Sequence, residues 1–236
     1  MKSLLIIKTG NTFPEIKALH GDFEDMFAAG LDGIGADLTV YDARELQALP
    51  ELTNYDAVII TGSHSMATDC EPWSERLLPH LRSLHQTKTP TLGVCYGHQL
   101  IAKALGGEID FHPFGPQAGS TKITLTQAGK ADELLGLSPQ SFKVNAGNSQ
   151  RITKLPPEAV LLAGNGFEPH QAIRFGDVMW GLQFHPEFNR RITRAYIDRT
   201  AEVLKKHGRD VEGIKASCTD TIDSRGILIN FMRFAS

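Results

Sequence analysis

The stretch Thr91-Leu92-Gly93-Val94-Cys95-Tyr96-Gly97-His98-Gln99 runs an apolar strand into the start of a helix, with a cysteine at the bend. A strand that turns sharply into a helix is the setting of a nucleophile elbow, here in a cysteine form. Side chains at Gly93 and Gly97 would collide where the strand and helix backbones approach each other. The bend lifts the sulfur toward the carboxyl ends of the strands, where open α/β sheets bind ligands. The amides of the first helical turn and a nearby imidazolium would both favour the thiolate, the reactive form. Such free amides can also face an oxyanion, so the Tyr96 N–H is read as a donor to one. The same pattern, taken alone, also fits a buried structural cysteine.

Working outward, the upstream half alternates strands and helices. Ser3 to Ile7, Leu38 to Tyr41, Ala57 to Ile60 and Thr91 to Val94 read as strands. Pro14 to Leu31 carries Ile16, Leu19, Phe23, Met26 and Phe27 at helical spacing. Pro72 to His85 reads as a helix, and Gly97 to Leu105 as another, stopped by Gly106-Gly107. This order predicts an α/β fold with a mostly parallel central sheet and helices on both faces. Downstream, shorter strands are expected at Thr121 to Leu125, Ala159 to Leu162, Gln171 to Phe175 and Val178 to Leu182. Gly176-Asp177 reads as a two-residue hairpin turn, so this part is expected to form a smaller antiparallel sheet. Helices are expected again over Asn189 to Lys206 and Asp220 to Phe234. The adjacent charges Glu24-Asp25, Asp132-Glu133 and Arg190-Arg191 read as solvated faces.

The 236 residues suit one domain, read as 1–236 with a core over about 3–190 and a helical extension over about 191–236. Hydrophobic residues make up 41% and charged residues 22%, an ordinary globular balance. The net charge of −3 argues against a nucleic-acid partner. No run reaches the roughly 20 apolar residues of a membrane span, and the first apolar run is too short for a signal peptide. A cytoplasmic protein with no membrane association is expected. Cys70, Cys95 and Cys218 lie far apart, so neither a disulfide framework nor a metal site is expected. No phosphate-binding or dinucleotide motif is present, and no cofactor is expected.

A second stretch, Trp180-Gly181-Leu182-Gln183-Phe184-His185-Pro186-Glu187, ends an apolar strand in a His-Pro-Glu triplet. A cysteine nucleophile needs a base that takes its proton and later protonates the leaving group. Histidine suits both tasks near neutral pH, and a carboxylate can fix its tautomer. His185 and Glu187 are two apart and would share one side if strand geometry continued. Alone, the triplet also fits a hydrated strand end with a turn proline.

Together with Ile60-Thr61-Gly62-Ser63, these motifs resemble the class I glutamine amidotransferases, in family order over roughly residues 3 to 190. The chain is similar to stand-alone proteins like the glutaminase half of GMP synthase, and His20-Gly21-Asp22-Phe23 fits that subgroup. The resemblance implies a flavodoxin-like fold. It implies that Cys95 attacks the side-chain amide of glutamine, giving a glutamyl thioester and ammonia, with glutamate released by water. His185 would be the acid and base and Glu187 its orienter. The Ser63 backbone N–H would complete the oxyanion hole with Tyr96. Gln99, Ser149 and Gln150 would help hold the substrate, although Gln99 equally suits a helix-start residue bonded to backbone.

The chain departs from the family pattern at two places. Gly62-Ser63-His64 stands where many members have Gly-Gly-Pro, and His64 reads as solvated loop. The loop Gly147-Asn148-Ser149-Gln150 lacks a histidine that relatives carry there. Three functions therefore stay open. The first is a glutaminase passing ammonia to an unknown acceptor on a separate synthetase subunit. The second is a γ-glutamyl peptidase or hydrolase acting on other γ-glutamyl amides. The third is a non-catalytic regulatory relative. Cys70 and Cys218, without flanking glycines, read as structural.

Overall fold

The computed structural model describes residues 2–45 and 48–235; Met1, Leu46, Gln47 and Ser236, which the single-domain reading includes, lie outside the described residues. The chain runs β1 (Lys2–Lys8), α1 (Pro14–His20), α2 (Phe23–Gly30), β2 (Ala36–Asp42), β3 (Ala57–Ile60), α3 (Pro72–Gln86), β4 (Thr91–Val94) and α4 (Tyr96–Ala104). It continues with β5 (Glu108–Phe111), β6 (Gln117–Leu125), α5 (Gln127–Lys130), β7 (Ser141–Asn148), β8 (Gln150–Lys154) and β9 (Ala159–Gly164). Last come β10 (Ala172–Phe175), β11 (Met179–Leu182), α6 (Arg190–Lys206), α7 (Val211–Ser217) and α8 (Ile222–Phe234).

Nine strands form one sheet in the order β2-β1-β3-β4-β11-β10-β9-β6-β7. The stretch from β2 to β11 is parallel and the stretch from β11 to β7 antiparallel. A separate antiparallel pair joins β5 and β8. The α/β expectation holds, with the antiparallel strands continuing the main sheet past β11.

Alternation along the strands assigns residues to two cores. Leu4, Ile6, Ala57 and Ile59 face Phe27 of α2 and Ile227, Leu228 and Phe231 of α8. Leu5, Ile7, Val58 and Ile60 face Leu77 and Leu81 of α3 and Leu100 and Ile101 of α4. A strand covered on both faces has no solvated side, which is why β3 reads as an unbroken apolar run. Each fully buried side chain of this kind contributes about 1.5–3 kcal/mol relative to exposure.

Several local expectations are corrected. The helix expected over 14–31 is two, because Gly21 takes φ 80° and Asp22 starts α2 with a capping box shared with Asp25. The turn between β10 and β11 has three residues, Gly176 to Val178, since Phe175 pairs with Met179. The strands β5, β7 and β8 and the helices α5 and α7 were not expected. Asp132 is not on a solvated face: its carboxylate is buried and accepts from Trp180 Nε1 (3.1 Å), Arg174 Nε (3.0 Å) and Leu134 N–H (2.9 Å). Glu24 likewise accepts from Lys8 Nζ at 2.6 Å. Among the described residues no helix is long and apolar enough to cross a membrane.

Candidate active site

Cys95 sits between β4 and α4 at φ 51° and ψ −100°, a strained conformation for a residue with a side chain. Its N–H donates to Leu182 O at 2.7 Å, and the Gly97 N–H donates to Thr61 O at 3.2 Å, tying the bend to β11 and β3. A Cβ on Gly93 would lie 2.6 Å from the Gly97 backbone C and O, and one on Gly97 would lie 2.5 Å from Ile60 O. Both glycines are required by close approach, as the sequence implies.

Strand β11 ends at Leu182, so His185-Pro186-Glu187 does not continue it; the triplet is a turn in which Phe188 N–H donates to His185 O at 3.3 Å. The turn, rather than a shared strand face, brings His185 and Glu187 together, and His185 Nδ1 donates to Glu187 Oε1 at 2.7 Å with both side chains buried. Burial disfavours the imidazolium, but the Glu187 carboxylate and the Cys95 sulfur outweigh it and raise the His185 pKa. A Cβ on Gly62 would lie 3.0 Å from His185 Cε1 and 3.6 Å from Cys95 Cβ, so the Gly62 loop, the elbow and the imidazole meet at one point.

Asn145 of β7, which the sequence did not single out, fixes the turn. Its carbonyl accepts from His185 N–H at 2.8 Å, and its Nδ2 donates to Phe188 O at 3.0 Å and Thr221 Oγ1 at 3.2 Å. The Phe188 ring stacks on the imidazole at 4.1 Å, and Phe23 lies nearly parallel to both rings.

Phe23 is anchored by its neighbour. The buried Asp22 carboxylate accepts from Lys8 Nζ (2.9 Å), Thr12 N–H (2.7 Å), Lys17 Nζ (3.0 Å) and Phe23 N–H (3.0 Å). Burial opposes ionisation, yet these donors prevail, Lys8 foremost, and lower the carboxyl pKa from 3.8 to about 2. A group shifted down stabilises the fold above its unfolded value and loses that contribution as pH falls from about 4 toward about 2. Asp22→Asn keeps a capping side chain but removes the charge facing Lys8. It is expected to lower stability by about 3 kcal/mol near neutral pH, the gap closing toward pH 2. Urea unfolding of both proteins at the two pH values checks this; an equal gap at each would remove the ion pair as its cause.

The Gly62 carbonyl is turned inward. The Thr61 hydroxyl donates to it at 3.0 Å, and the buried Thr9 hydroxyl lies 3.0 Å from the same oxygen. In a trans peptide the N–H points opposite to the carbonyl, so the Ser63 N–H faces away from those hydroxyls. The Ser63 Oγ accepts from Ser65 N–H at 3.1 Å. Tyr96 is the first residue of α4, and its N–H has no acceptor within the helix.

The sulfur opens into a cleft of about 250 Å³ whose lining includes Ser63, Tyr96, Gln99, Ser149 and Gln150. Gln99 Nε2 donates to Gln150 O (3.0 Å) and Gln183 Oε1 (3.1 Å), bracing the cleft floor. The Gln150 side chain is engaged elsewhere: its Oε1 accepts from Ala67 N–H (2.8 Å) and its Nε2 donates to Thr68 Oγ1 (2.6 Å). Ser149 is half-buried in the wall, its carbonyl accepting from His112 N–H at 2.8 Å.

His64 is not simply solvated loop. Its ring stacks on Phe13 at 4.1 Å, and its Nε2 lies 3.3 Å from Tyr196 Oη. Tyr196 and His64 both line the cleft, a placement that no local motif announces. Cys218 is buried, as a structural cysteine should be, whereas Cys70 is exposed with Lys103 Nζ 3.2 Å from its sulfur. Among the described residues no group of three or more His, Cys, Asp or Glu side chains could hold a metal.

Comparison with known proteins agrees with this architecture. The chain is 28% identical over 205 residues to γ-glutamyl peptidase 5 of Arabidopsis thaliana, covering 85% of this chain and 81% of that protein. It is 31% identical over 168 residues to the glutamine-hydrolysing GMP synthase of Aeropyrum pernix, covering 71% of this chain and 31% of the larger protein. A glutamine amidotransferase structure from Thermotoga maritima superposes with a TM-score of 0.76 at 20% identity, covering 99% of this chain and 97% of that one. The family model for glutamine amidotransferase class-I matches residues 19–201, which include the elbow and the His-Pro-Glu turn, and the chain belongs to that family.

Proposed function

We propose that the protein hydrolyses a γ-glutamyl amide, glutamine or a larger one, through a thioester on Cys95. The carrying observation is the buried hydrogen bond from His185 Nδ1 to Glu187 Oε1, which leaves the other imidazole nitrogen for the Cys95 sulfur. Sγ, its proton passed to His185, attacks the amide carbon, a C–S bond forms as the carbonyl π pair moves to oxygen, and charge collects on that oxygen. The Ser63 and Tyr96 N–H groups are the donors for that oxyanion, in a site where fixed dipoles need no reorganisation. Collapse breaks the C–N bond as His185 hands its proton to the departing nitrogen. Water, giving a proton to His185, then attacks the thioester, and glutamate leaves as the thiol re-forms. Family membership supports the cysteine chemistry, and the relatives named γ-glutamyl peptidase and GMP synthase support a glutamyl acyl half.

The test is a trapped intermediate. Acid quenching during turnover, followed by peptide mass spectrometry, is expected to find a glutamyl adduct on Cys95 and none on Cys70 or Cys218. Release of glutamate without an adduct under rapid quench, or an adduct on another cysteine, would sink the mechanism.

A further inference from the structure

The β1–β3 ladder ends in an irregular step. Thr61 N–H donates to Ile7 O at 3.0 Å, and a regular parallel pair would continue with Thr9 N–H donating to Thr61 O. Instead, Thr9 N–H donates to the Thr61 hydroxyl at 3.0 Å. The Thr61 carbonyl turns to the elbow, where Gly97 N–H donates to it at 3.2 Å. The two side chains fill the missing step, with Thr9 Oγ1 at 2.9 Å from Thr61 O and 3.2 Å from Thr61 Oγ1. Both threonines are fully buried at the ends of apolar strands, where a valine of the same shape would bury no hydroxyl.

Each hydroxyl has a single proton to donate. Thr61 Oγ1 takes the Thr9 N–H on a lone pair, so its own proton goes to Gly62 O at 3.0 Å. The Thr9 proton is shared between Thr61 O and Gly62 O, at 2.9 and 3.0 Å. Among the described residues no backbone N–H reaches the Gly62 carbonyl, so these hydroxyls alone hold it. Fixing that oxygen fixes the opposite side of the same peptide, the Ser63 N–H. With the hydroxyls gone, the carbonyl would be a buried acceptor without a donor. Turning the peptide over would relieve it, but would present a carbonyl oxygen where an oxyanion needs an N–H. The second donor is tied to the same pair, because the diverted Thr61 carbonyl holds Gly97, the neighbour of Tyr96. Neither threonine is in the cleft lining.

We propose that Thr9 and Thr61 are positioning residues for the oxyanion hole: their hydroxyls latch the Gly62–Ser63 peptide with its N–H toward Cys95, and free the Thr61 carbonyl to hold the first turn of α4. This rests on the thioester reading above. The test measures hydrolysis of glutamine and of γ-glutamyl-p-nitroanilide, together with inhibition by glutamate γ-semialdehyde. The Cys95 thiol adds across that aldehyde, sulfur to carbon and proton to oxygen, leaving an oxygen where the oxyanion forms. Thr9→Val strands no buried group, since Thr9 N–H keeps Thr61 Oγ1, Gly62 O keeps the Thr61 proton and Thr61 O keeps Gly97 N–H. It is expected to lower kcat about tenfold, the scale of one lost hydrogen bond. Thr61→Val removes the undivided donor and is expected to lower kcat about 100-fold or more, as loss of an oxyanion donor does. In both, KM stays near the wild-type value and inhibition by the aldehyde weakens in step with kcat/KM. Thr9→Ser and Thr61→Ser, which keep the hydroxyls, restore kcat. A merely structural role would lower the melting temperature without splitting kcat from KM. Should Thr61→Val not fold, Thr9→Val and Thr9→Ser decide the matter. Unchanged kcat in Thr9→Val, or a loss that serine does not restore, would overturn the inference; the Cys95 adduct would still form and the thioester reading would stand. Absence of turnover and of adduct with both substrates in the wild type would remove the two together.

Discussion

Cys95→Ala is expected to reduce glutamate release from γ-glutamyl amides by on the order of 10⁶-fold, the scale seen when a nucleophile that works as a unit with its base is removed. The substitution deletes one atom. His185 and Glu187 keep their 2.7 Å hydrogen bond, and the Ser63 and Tyr96 amides are backbone, so the geometry of the rest of the site is kept. The backbone at Cys95 is already at φ 51° with a Cβ in place, and alanine carries the same Cβ. Stability should therefore move by about 1 kcal/mol or less, roughly 2–4 °C in melting temperature for a chain of this size. Activity and stability are thus expected to separate completely. Cys70→Ala, at an exposed position outside the cleft, serves as the control and should retain wild-type turnover. A Cys95→Ala protein that keeps more than about one hundredth of the activity would show that another group attacks the amide carbon.

The elbow and the His-Pro-Glu triplet were legible because their constraints are local. Gly93 and Gly97 are needed by backbones four residues apart, and proline holds His185 and Glu187 in one turn. The parallel strands were legible for a related reason: burial on both faces leaves Ala57 to Ile60 without a polar position. What failed depends on distant partners. Asn145 is buried within β7, and its importance comes from Phe188 and Thr221, 43 and 76 residues away. Asp132 looks like any surface carboxylate until Trp180 and Arg174 are folded against it. His64 resembles a loop residue until Phe13 and Tyr196 arrive from the two ends of the chain. The Gln150 side chain has the right chemistry for a ligand, yet Ala67 and Thr68 claim its polar atoms. Polar residues give no periodic signal, so which partner satisfies them is written only in the tertiary structure.

Gly93→Ala is expected to damage both fold and chemistry. The added methyl would lie 2.6 Å from the Gly97 carbonyl carbon and oxygen and 2.6 Å from Ile101 Cδ1. Ile101 can change rotamer; the Gly97 backbone cannot move without lifting the first turn of α4 from β4. That turn is held from the other side, because Gly97 N–H donates to Thr61 O and a Cβ on Gly97 itself would reach Ile60 O at 2.5 Å. Overpacking against fixed backbone places the loss near the upper end of its range, about 3 kcal/mol, or roughly 6–12 °C in melting temperature. The displaced turn carries Cys95 and the Tyr96 N–H, whereas His185 is fixed independently by Asn145. Sulfur and imidazole therefore lose register, and a misplacement of about 1 Å is worth about 100-fold in rate. The folded fraction at 20 °C should still be nearly complete, so the activity loss would exceed anything unfolding explains. Glycine at 93 with a methyl supplied at Gly106 instead, where no atom lies within 4 Å but φ is 96°, would strain only that turn and leave kcat intact. Comparable kcat losses in the two variants would mean that stability, rather than the seating of the elbow, governs the rate.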